Sequence, residues 1–309
     1  MRIVAALGGN ALLKRGERPD SDVQEHNVEI AIAALAPLAR DHELVITHGN
    51  GPQVGVLALE SASDPALSHP FPLDTLGAET QGLIGYWLAQ ELQNHLPDRM
   101  ITAIVTQTVV DRDDPGFAHP TKFVGPVYDE AELRTIADER GWTISPDGDR
   151  WRRVVASPKP VRIVETPAIR LLLEAGALVV CAGGGGIPVI EGPGGKLTGV
   201  EAVIDKDLTT ALLAEQLDAD AFLVLTDVDG VYREFGTPNA ERIATTTVAD
   251  LRQLAFPAGS MGPKIDAVCR FVEHTDGFAA IGTLADATAI LAGTRGTRVQ
   301  HREVSAHRN

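Results

Sequence analysis

The sequence predicts an α/β fold: a three-layer α/β/α sandwich around an open, mainly parallel sheet, from which an inserted lid subdomain protrudes. Two observations carry the sandwich and a third carries the lid. Short runs rich in Val and Ile recur from end to end, as strands buried on both faces of a sheet require. Each run ends in glycine or another turn residue and gives way to a longer helical cadence, the order that lets a parallel sheet return its chain. One stretch, 112–160, breaks that rhythm.

Arg2 to Leu7 is the first expected strand, followed by Gly8-Gly9-Asn10. After a polar stretch, apolar residues at 28, 32, 35 and 38/39 place a helix over 23–40. A strand over 44–47 leads into His48-Gly49-Asn50-Gly51-Pro52 and a helix from Gln53. Further strands are expected at 101–105, at 178–182 before Gly183 to Gly186, at 222–225 before Thr226-Asp227, and at 278–281. The 112–160 stretch holds six of the 19 prolines and 17 charged residues, a density well above the 22% of the whole chain. Trp142 and Trp151 give it something to pack, so it reads as a lid built on the sheet rather than a linker. The expectation is a single domain over 1–309 with this insertion inside it.

A chain of 309 residues that is 44% hydrophobic can bury a large core without disulfides. Its two cysteines, Cys181 and Cys269, lie in apolar surroundings, which favours buried thiols in a reducing compartment. Glycine interrupts the apolar start at Gly8, too early for a signal core, and no window approaches a membrane span; a cytoplasmic protein is expected. With 27 Lys+Arg against 42 Asp+Glu the formal charge is -15, which argues against nucleic acid or an anionic membrane as partner.

In an open parallel sheet, ligands bind beyond the carboxyl ends of the strands. Three glycine clusters fall there: Gly8-Gly9, Gly49-Asn50-Gly51 and Gly183 to Gly186. Each would let backbone N–H groups approach an anion at the start of a helix. Established phosphate signatures fail. Gly195-Lys196-Leu197-Thr198 has Leu where the Walker hydroxyl belongs, and Gly49-Asn50-Gly51 does not continue as a dinucleotide turn. Any phosphate chemistry therefore uses another cradle.

Lysine is scarce, at six residues, so position carries information. Lys206 is flanked by Asp205 and Asp207 at the head of an apolar helix; Lys264 closes the small-residue turn Gly259-Ser260-Met261-Gly262-Pro263; Lys122 lies inside the insertion. A flexible solvated charge needs no such frames. Leu225-Thr226-Asp227-Val228-Asp229-Gly230 also fits the aspartyl nucleophile of a phosphatase, with Asp227 as the attacking group. That motif usually opens its domain, whereas here it stands late in the chain. A calcium loop fails because Pro238 occupies the twelfth position from Asp227. The histidines show no metal-ligand spacing, no protein-bound metal is implied, and His48 reads as a turn-packing residue.

Gly8-Gly9-Asn10-Ala11-Leu12, His48-Gly49-Asn50-Gly51-Pro52-Gln53, Glu79-Thr80-Gln81-Gly82 with Gly85-Tyr86-Trp87, Val203 to Asp207 and Gly259 to Lys264 resemble the carbamate kinases, within the amino acid kinase superfamily. The likeness runs along nearly the whole chain in the family's order. The glycine turns are shared across the superfamily; the insertion, with Pro120-Thr121-Lys122, and the Gly-Tyr-Trp helix point to this branch.

The resemblance implies phosphoryl transfer between ATP and carbamate, giving ADP and carbamoyl phosphate, with flux toward ATP, a place in arginine metabolism, and a homodimer. It implies that Gly8, Gly9 and Asn10, with Gly49, Asn50 and Gly51, hold the transferred phosphoryl group and carbamate. Lys206 would bridge the transferring oxygens, Asp207 orient the lysines, Lys264 neutralise nucleotide phosphates, and Lys122 reach in from the lid. Thr226, Asp227, Val228, Tyr232, Met261, Gly262 and Lys264 would hold the nucleotide, and Mg²⁺ would arrive on ATP or ADP. The alternatives are another kinase of the superfamily, the phosphatase, and a nucleotide sensor. Because every substrate is an anion and the chain is acidic, a small positive cleft within an acidic surface is expected.

Overall fold

The computed structural model describes residues 1–14, 16–256 and 261–301, with Asn10 followed through its backbone alone. In chain order, β1 (Arg2–Leu7), α1 (Ser21–Asp41), β2 (Glu43–His48), α2 (Gly51–Ser63), α3 (Leu73–His95) and β3 (Ile101–Ala103) come first. β4 (Gln107–Val110) precedes β5 (Lys122–Tyr128), α4 (Glu130–Arg140), β6 (Thr143–Asp147) and β7 (Arg150–Val155). Then follow β8 (Pro160–Ile163), α5 (Thr166–Glu174), β9 (Leu178–Val180), β10 (Ile187–Glu191) and β11 (Leu197–Gly199). α6 (Lys206–Gln216), β12 (Ala221–Thr226), β13 (Val231–Arg233), β14 (Glu241–Ile243), β15 (Thr245–Thr247) and α7 (Val248–Leu251) lead to α8 (Met261–His274), β16 (Phe278–Thr283), α9 (Ala287–Leu291) and β17 (Thr297–Gln300).

Among the described residues the main sheet runs β15-β17-β16-β12-β1-β2-β9-β3, and every pairing in it is parallel except β16 with β17. Alternation along each strand builds the two outer layers. Val4 and Ala6 of β1, with Phe222 and Val224 of β12, face a core closed by α5, α6 and α8. Ile3, Ala5 and Leu7, with Leu223 and Leu225, face the other core, closed by α1, α3 and α9. Burial on both faces is why these strands read as unbroken apolar runs. Phe222 and Phe271 meet edge to face at 5.8 Å, tying β12 to α8. Cys181 and Cys269 are free and buried, and burial pushes the Cys269 thiol up to about 11.

The expected helix over 23–40 is α1, and it runs through Pro37. Pro37 is exposed, so its ring and missing N–H sit on the solvent side and the buried face continues through Leu38 and Ala39. The expected strands at 101–105 and 178–182 stop earlier, at Ala103 and Val180.

Within 112–160, β5, β7 and β6 form an antiparallel three-stranded sheet with α4. The tryptophans do not form its core. Trp142 carries the guanidinium groups of Arg140 and Arg153, at 5.1 and 4.6 Å, and Trp151 carries Arg134 at 5.0 Å. The stretch packs on the sandwich through Val124 and Val155, which join Val54 of α2, Leu73 and Leu76 of α3 and Val203 in an apolar cluster. At its base the Lys159 N–H donates to Asp114 Oδ2 at 3.0 Å, so the two crossings of the chain lie side by side.

Candidate active site

β1 is the switch point of the sheet: the chain places β2 on one side of it and β12 on the other, leaving a crevice beyond their carboxyl ends. A cavity of about 380 Å³ lies there, and Gly8, Gly9, Gly49, Asn50 and Gly51 form one wall of it. Lys206, Asp207 and Lys264 form a second wall, Thr226 and Asp227 a third, and Lys122 with Phe123 enters from β5.

The second wall is built by the start of α6. Asp205 caps that helix, its Oδ1 accepting the N–H of Asp207 at 2.9 Å and of Leu208 at 3.3 Å. The cap fixes the next two side chains over the crevice. Asp207 Oδ1 accepts from Lys206 Nζ at 2.6 Å, and Oδ2 accepts from Lys264 Nζ at 3.0 Å, so one carboxylate grips two lysines that lie far apart in sequence. Lys264 reaches it from the first turn of α8, where Pro263 costs no hydrogen bond. Gly259 and Ser260, the start of that motif, lie outside the described residues.

Asp207 is buried, the two lysine side chains are largely shielded from water, and their charges answer one another. Burial alone would raise the Asp207 carboxyl, but the two ammonium groups overcome it and hold it far below the carboxylate range. Burial lowers Lys206, with Asp207 opposing the change. Burial also works against charge on Lys264, yet Asp207 prevails and raises it.

The glycines act mainly by closeness. The Gly8 N–H donates to the Leu225 carbonyl at 2.9 Å and the Gly49 N–H to the Leu7 carbonyl at 3.1 Å, so these two amides extend the sheet instead of facing an anion. A Cβ on Gly49 would stand 3.2 Å from the Gly9 nitrogen and 3.5 Å from Lys206 Cε. Its absence lets the two glycine turns meet. Gly183 to Gly186, expected as a third cradle, are buried, and only Gly184 reaches the cavity. A Cβ on Gly183 would strike the His48 ring at 2.3 Å, and one on Gly184 the Asn50 amide at 2.2 Å. That cluster makes room for the two side chains of the β2 turn. Asn50 then donates to Thr80 Oγ1 at 2.8 Å, anchoring the turn to α3. His48 shares a hydrogen bond between Nδ1 and the Gly49 carbonyl at 3.0 Å, and burial lowers its pKa to about 4, leaving a neutral packing residue.

A second cavity, of about 410 Å³, opens from the first across Thr226, Asp227 and Lys264. Val228, Tyr232, Phe235, Phe256 and Met261 give it an apolar lining, and Tyr232 and Phe235 pack ring to ring at 5.8 Å. The residues expected to hold a nucleotide thus converge here, with Gly262 in the first turn of α8 between Met261 and Pro263. Thr226 Oγ1 donates to Asp227 Oδ1 at 3.0 Å. Phe235 and Phe256 were not singled out by the sequence, because isolated aromatics in polar loops carry no periodic signal. In the sequence Asp205 stands out only as a neighbour of Lys206, although an Asp directly before a helical run is a cap pattern.

The expected positive cleft needs correction. Lys122, Lys206 and Lys264 line the first cavity together with Asp205, Asp207 and Asp227, so ammonium and carboxylate groups are balanced. The carboxylates of Asp205 and Asp207 fix where the lysines point; each ammonium, with three donors, keeps N–H groups for a ligand.

The amino acid kinase family model matches residues 1–280. A carbamate kinase of Rhizobium meliloti (strain 1021) is 54% identical over 301 residues, spanning 96% of this chain and 92% of the relative. One from Haemophilus influenzae is 49% identical over 97% of this chain and 96% of its own. The solved carbamate kinase from Giardia lamblia bound to AMP-PNP superposes with a TM-score of 0.89 at 37% identity, covering 97% of this chain and 98% of that one. By family model, sequence and architecture together, the chain belongs to the amino acid kinase family and, within it, to the carbamate kinases.

Proposed function

We propose that this protein transfers a phosphoryl group between ATP and carbamate, and that it runs toward ATP from ADP and carbamoyl phosphate. The observation that carries the reading is the Asp207 carboxylate holding Lys206 and Lys264 in a cavity lined by the glycine turns, with Lys122 in the same cavity. In the ATP-forming direction a β-phosphate oxygen of ADP attacks the phosphorus of carbamoyl phosphate. The bond from phosphorus to the carbamate oxygen breaks, and carbamate leaves as an anion. No proton moves, so a general base has no task; alignment and charge stabilisation are what the site must supply.

In this reading the turns at Gly8-Gly9-Asn10 and Gly49-Asn50-Gly51 enclose the carbamoyl end, and Lys206 sits on the oxygens in transfer. Lys264, shared by both cavities, meets the nucleotide phosphates, while the apolar lining at Val228, Tyr232 and Met261 takes the base. Mg²⁺ enters as part of the nucleotide substrate. The insertion acts as a lid that carries Lys122. A cytoplasmic location, a role in arginine metabolism and a homodimer complete the reading, on the strength of the family likeness.

The test is a coupled assay with carbamoyl phosphate and ADP-Mg²⁺. ATP formation is expected. Its absence, alongside turnover of another carboxylate or phosphate acceptor, would overturn the assignment. Asp227→Asn checks the phosphatase alternative: retained activity removes Asp227 as a nucleophile.

A further inference from the structure

Asp205 divides its two oxygens between two parts of the molecule. Oδ1 caps α6 through the Asp207 and Leu208 N–H groups, and Oδ2 accepts from Lys122 Nζ at 2.6 Å. The carboxylate is therefore anchored by backbone on one side while holding a side chain on the other. Lys122 needs such a hold. It is the first residue of β5, it reaches the cavity from the 112–160 stretch, and its side chain is 33% exposed against 11% for Lys206 and 18% for Lys264. A long flexible ammonium in that position has many rotamers open to it.

The approach to α6 is also where the insertion is tied down. The Val203 N–H donates to the Ala156 carbonyl at 3.0 Å, and Glu201 Oε1 lies 3.4 Å from Arg153 Nη2. With Asp205 and Lys122, three ties join the insertion to the few residues that run into Lys206. The position of the insertion and the position of the second wall are thus set by one short segment.

We propose that Asp205 is the positioning residue for Lys122: it takes one N–H of the ammonium and aims the other two into the cavity, beside Lys206, the next residue along the chain. The role rests on the reading of Lys122 as a group that touches the transferring phosphoryl. Asp205 itself meets no substrate; it acts through Lys122. The low carboxyl pKa agrees with this: burial would raise it, and the Lys122 ammonium brings it down.

Asp205→Asn tests the role, because Asn caps a helix as well as Asp but, with its one oxygen on the cap, turns an uncharged NH2 donor toward the ammonium. Asp205→Ser, which also caps and is too short to reach Lys122, is the second variant. Each is compared with Lys122→Ala and with the double variants in the ATP-forming assay. A misplaced catalytic group costs on the order of 10- to 100-fold, so kcat is expected to fall by about that factor while KM for ADP stays within about two-fold. In the Lys122→Ala background Asp205→Asn should cause no further loss, and the thermal midpoint should stay near that of the parent. An unimpaired Asp205→Asn beside a crippled Lys122→Ala would overturn the positioning role alone. So would equal losses from Asp205→Asn in both backgrounds, which would mean that it acts through the cap. Full activity in Lys122→Ala would instead remove the reading of Lys122, and the role of Asp205 with it.

Discussion

Gly55 of α2 and Gly125 of β5 meet backbone to backbone. A Cβ built on Gly55 would stand 2.3 Å from the Gly125 Cα and 2.7 Å from its nitrogen, and Gly125 has a φ of +74°, where other residues are strained. β5 is thereby seated directly on the helix whose first turn lines the cavity. Gly55→Ala must push β5 away, at a cost of about 1–3 kcal/mol typical of overpacking. The expected outcome is a lower thermal midpoint together with a lower kcat, since Lys122 begins β5; an unchanged enzyme would show that the contact is loose.

Lys206→Ala removes the ammonium set closest to the glycine turns but leaves Asp207 paired with Lys264. Turnover is expected to fall by about 10³-fold or more, the scale of losing a group that stabilises transition-state charge. Circular dichroism and the thermal midpoint should show a folded protein. A residual rate within a few per cent of the parent would place the transferring oxygens elsewhere.

Asp207→Asn strikes stability as well as catalysis. Two largely shielded ammonium groups would face each other without their shared carboxylate, and stranding charge away from water typically costs about 3–5 kcal/mol. Added ATP or tripolyphosphate, supplying the missing negative charge, should restore part of the lost thermal midpoint in a melting experiment. Equal ligand-induced shifts in variant and parent would count against this account.

His48 should leave a signature in acid. Burial lowers its pKa to about 4, against about 6.5 in an unfolded chain, so between these values the unfolded state binds more protons than the folded one. Stability therefore rises with pH across that window, and it falls as the pH drops from about 6.5 toward 4, by up to about 3 kcal/mol. Asp207 adds a separate loss at still lower pH, because its carboxyl lies below the unfolded value and its contribution vanishes as it is protonated. Thermal midpoints measured from pH 8 to pH 5 should fall more steeply for the parent than for His48→Gln. Parallel curves would assign the acid sensitivity to other groups.

The sandwich was legible because its strands are buried on both faces. Expected strands at 44–47, 222–225 and 278–281 lie inside Glu43–His48, Ala221–Thr226 and Phe278–Thr283. The ends escaped, since the last residues of a parallel strand resemble the turn that follows. The second sheet, β11-β10-β4-β8, left little trace because its strands are short and partly exposed. In the site, the scarcity of lysine singled out Lys122, Lys206 and Lys264, and all three converge. What sequence could not show was division of labour among neighbours. Gly183 and Gly186 look like an anion turn as text, yet in space Gly183 yields its volume to His48 and Gly186 to Thr108. Asp205 and Asp207 look equivalent around Lys206, yet one holds a lysine from β5 and the other two lysines from α6 and α8.

The order in which β1 and β12 are made sets when the cleft can exist at all. β12 pairs beside β1 in register from Ile3 with Ala221 to Leu7 with Leu225, so one edge of the first strand synthesised waits for a strand made after two thirds of the chain, while β2 covers the other. The clamp on Asp207 waits longer, until Lys264 has emerged. A growing chain halted before that point holds two of the three ammonium groups and an Asp207 that has only half its partners. Substrate cannot guide the early stages of folding, and stabilisation by nucleotide is confined to a chain that is already almost whole.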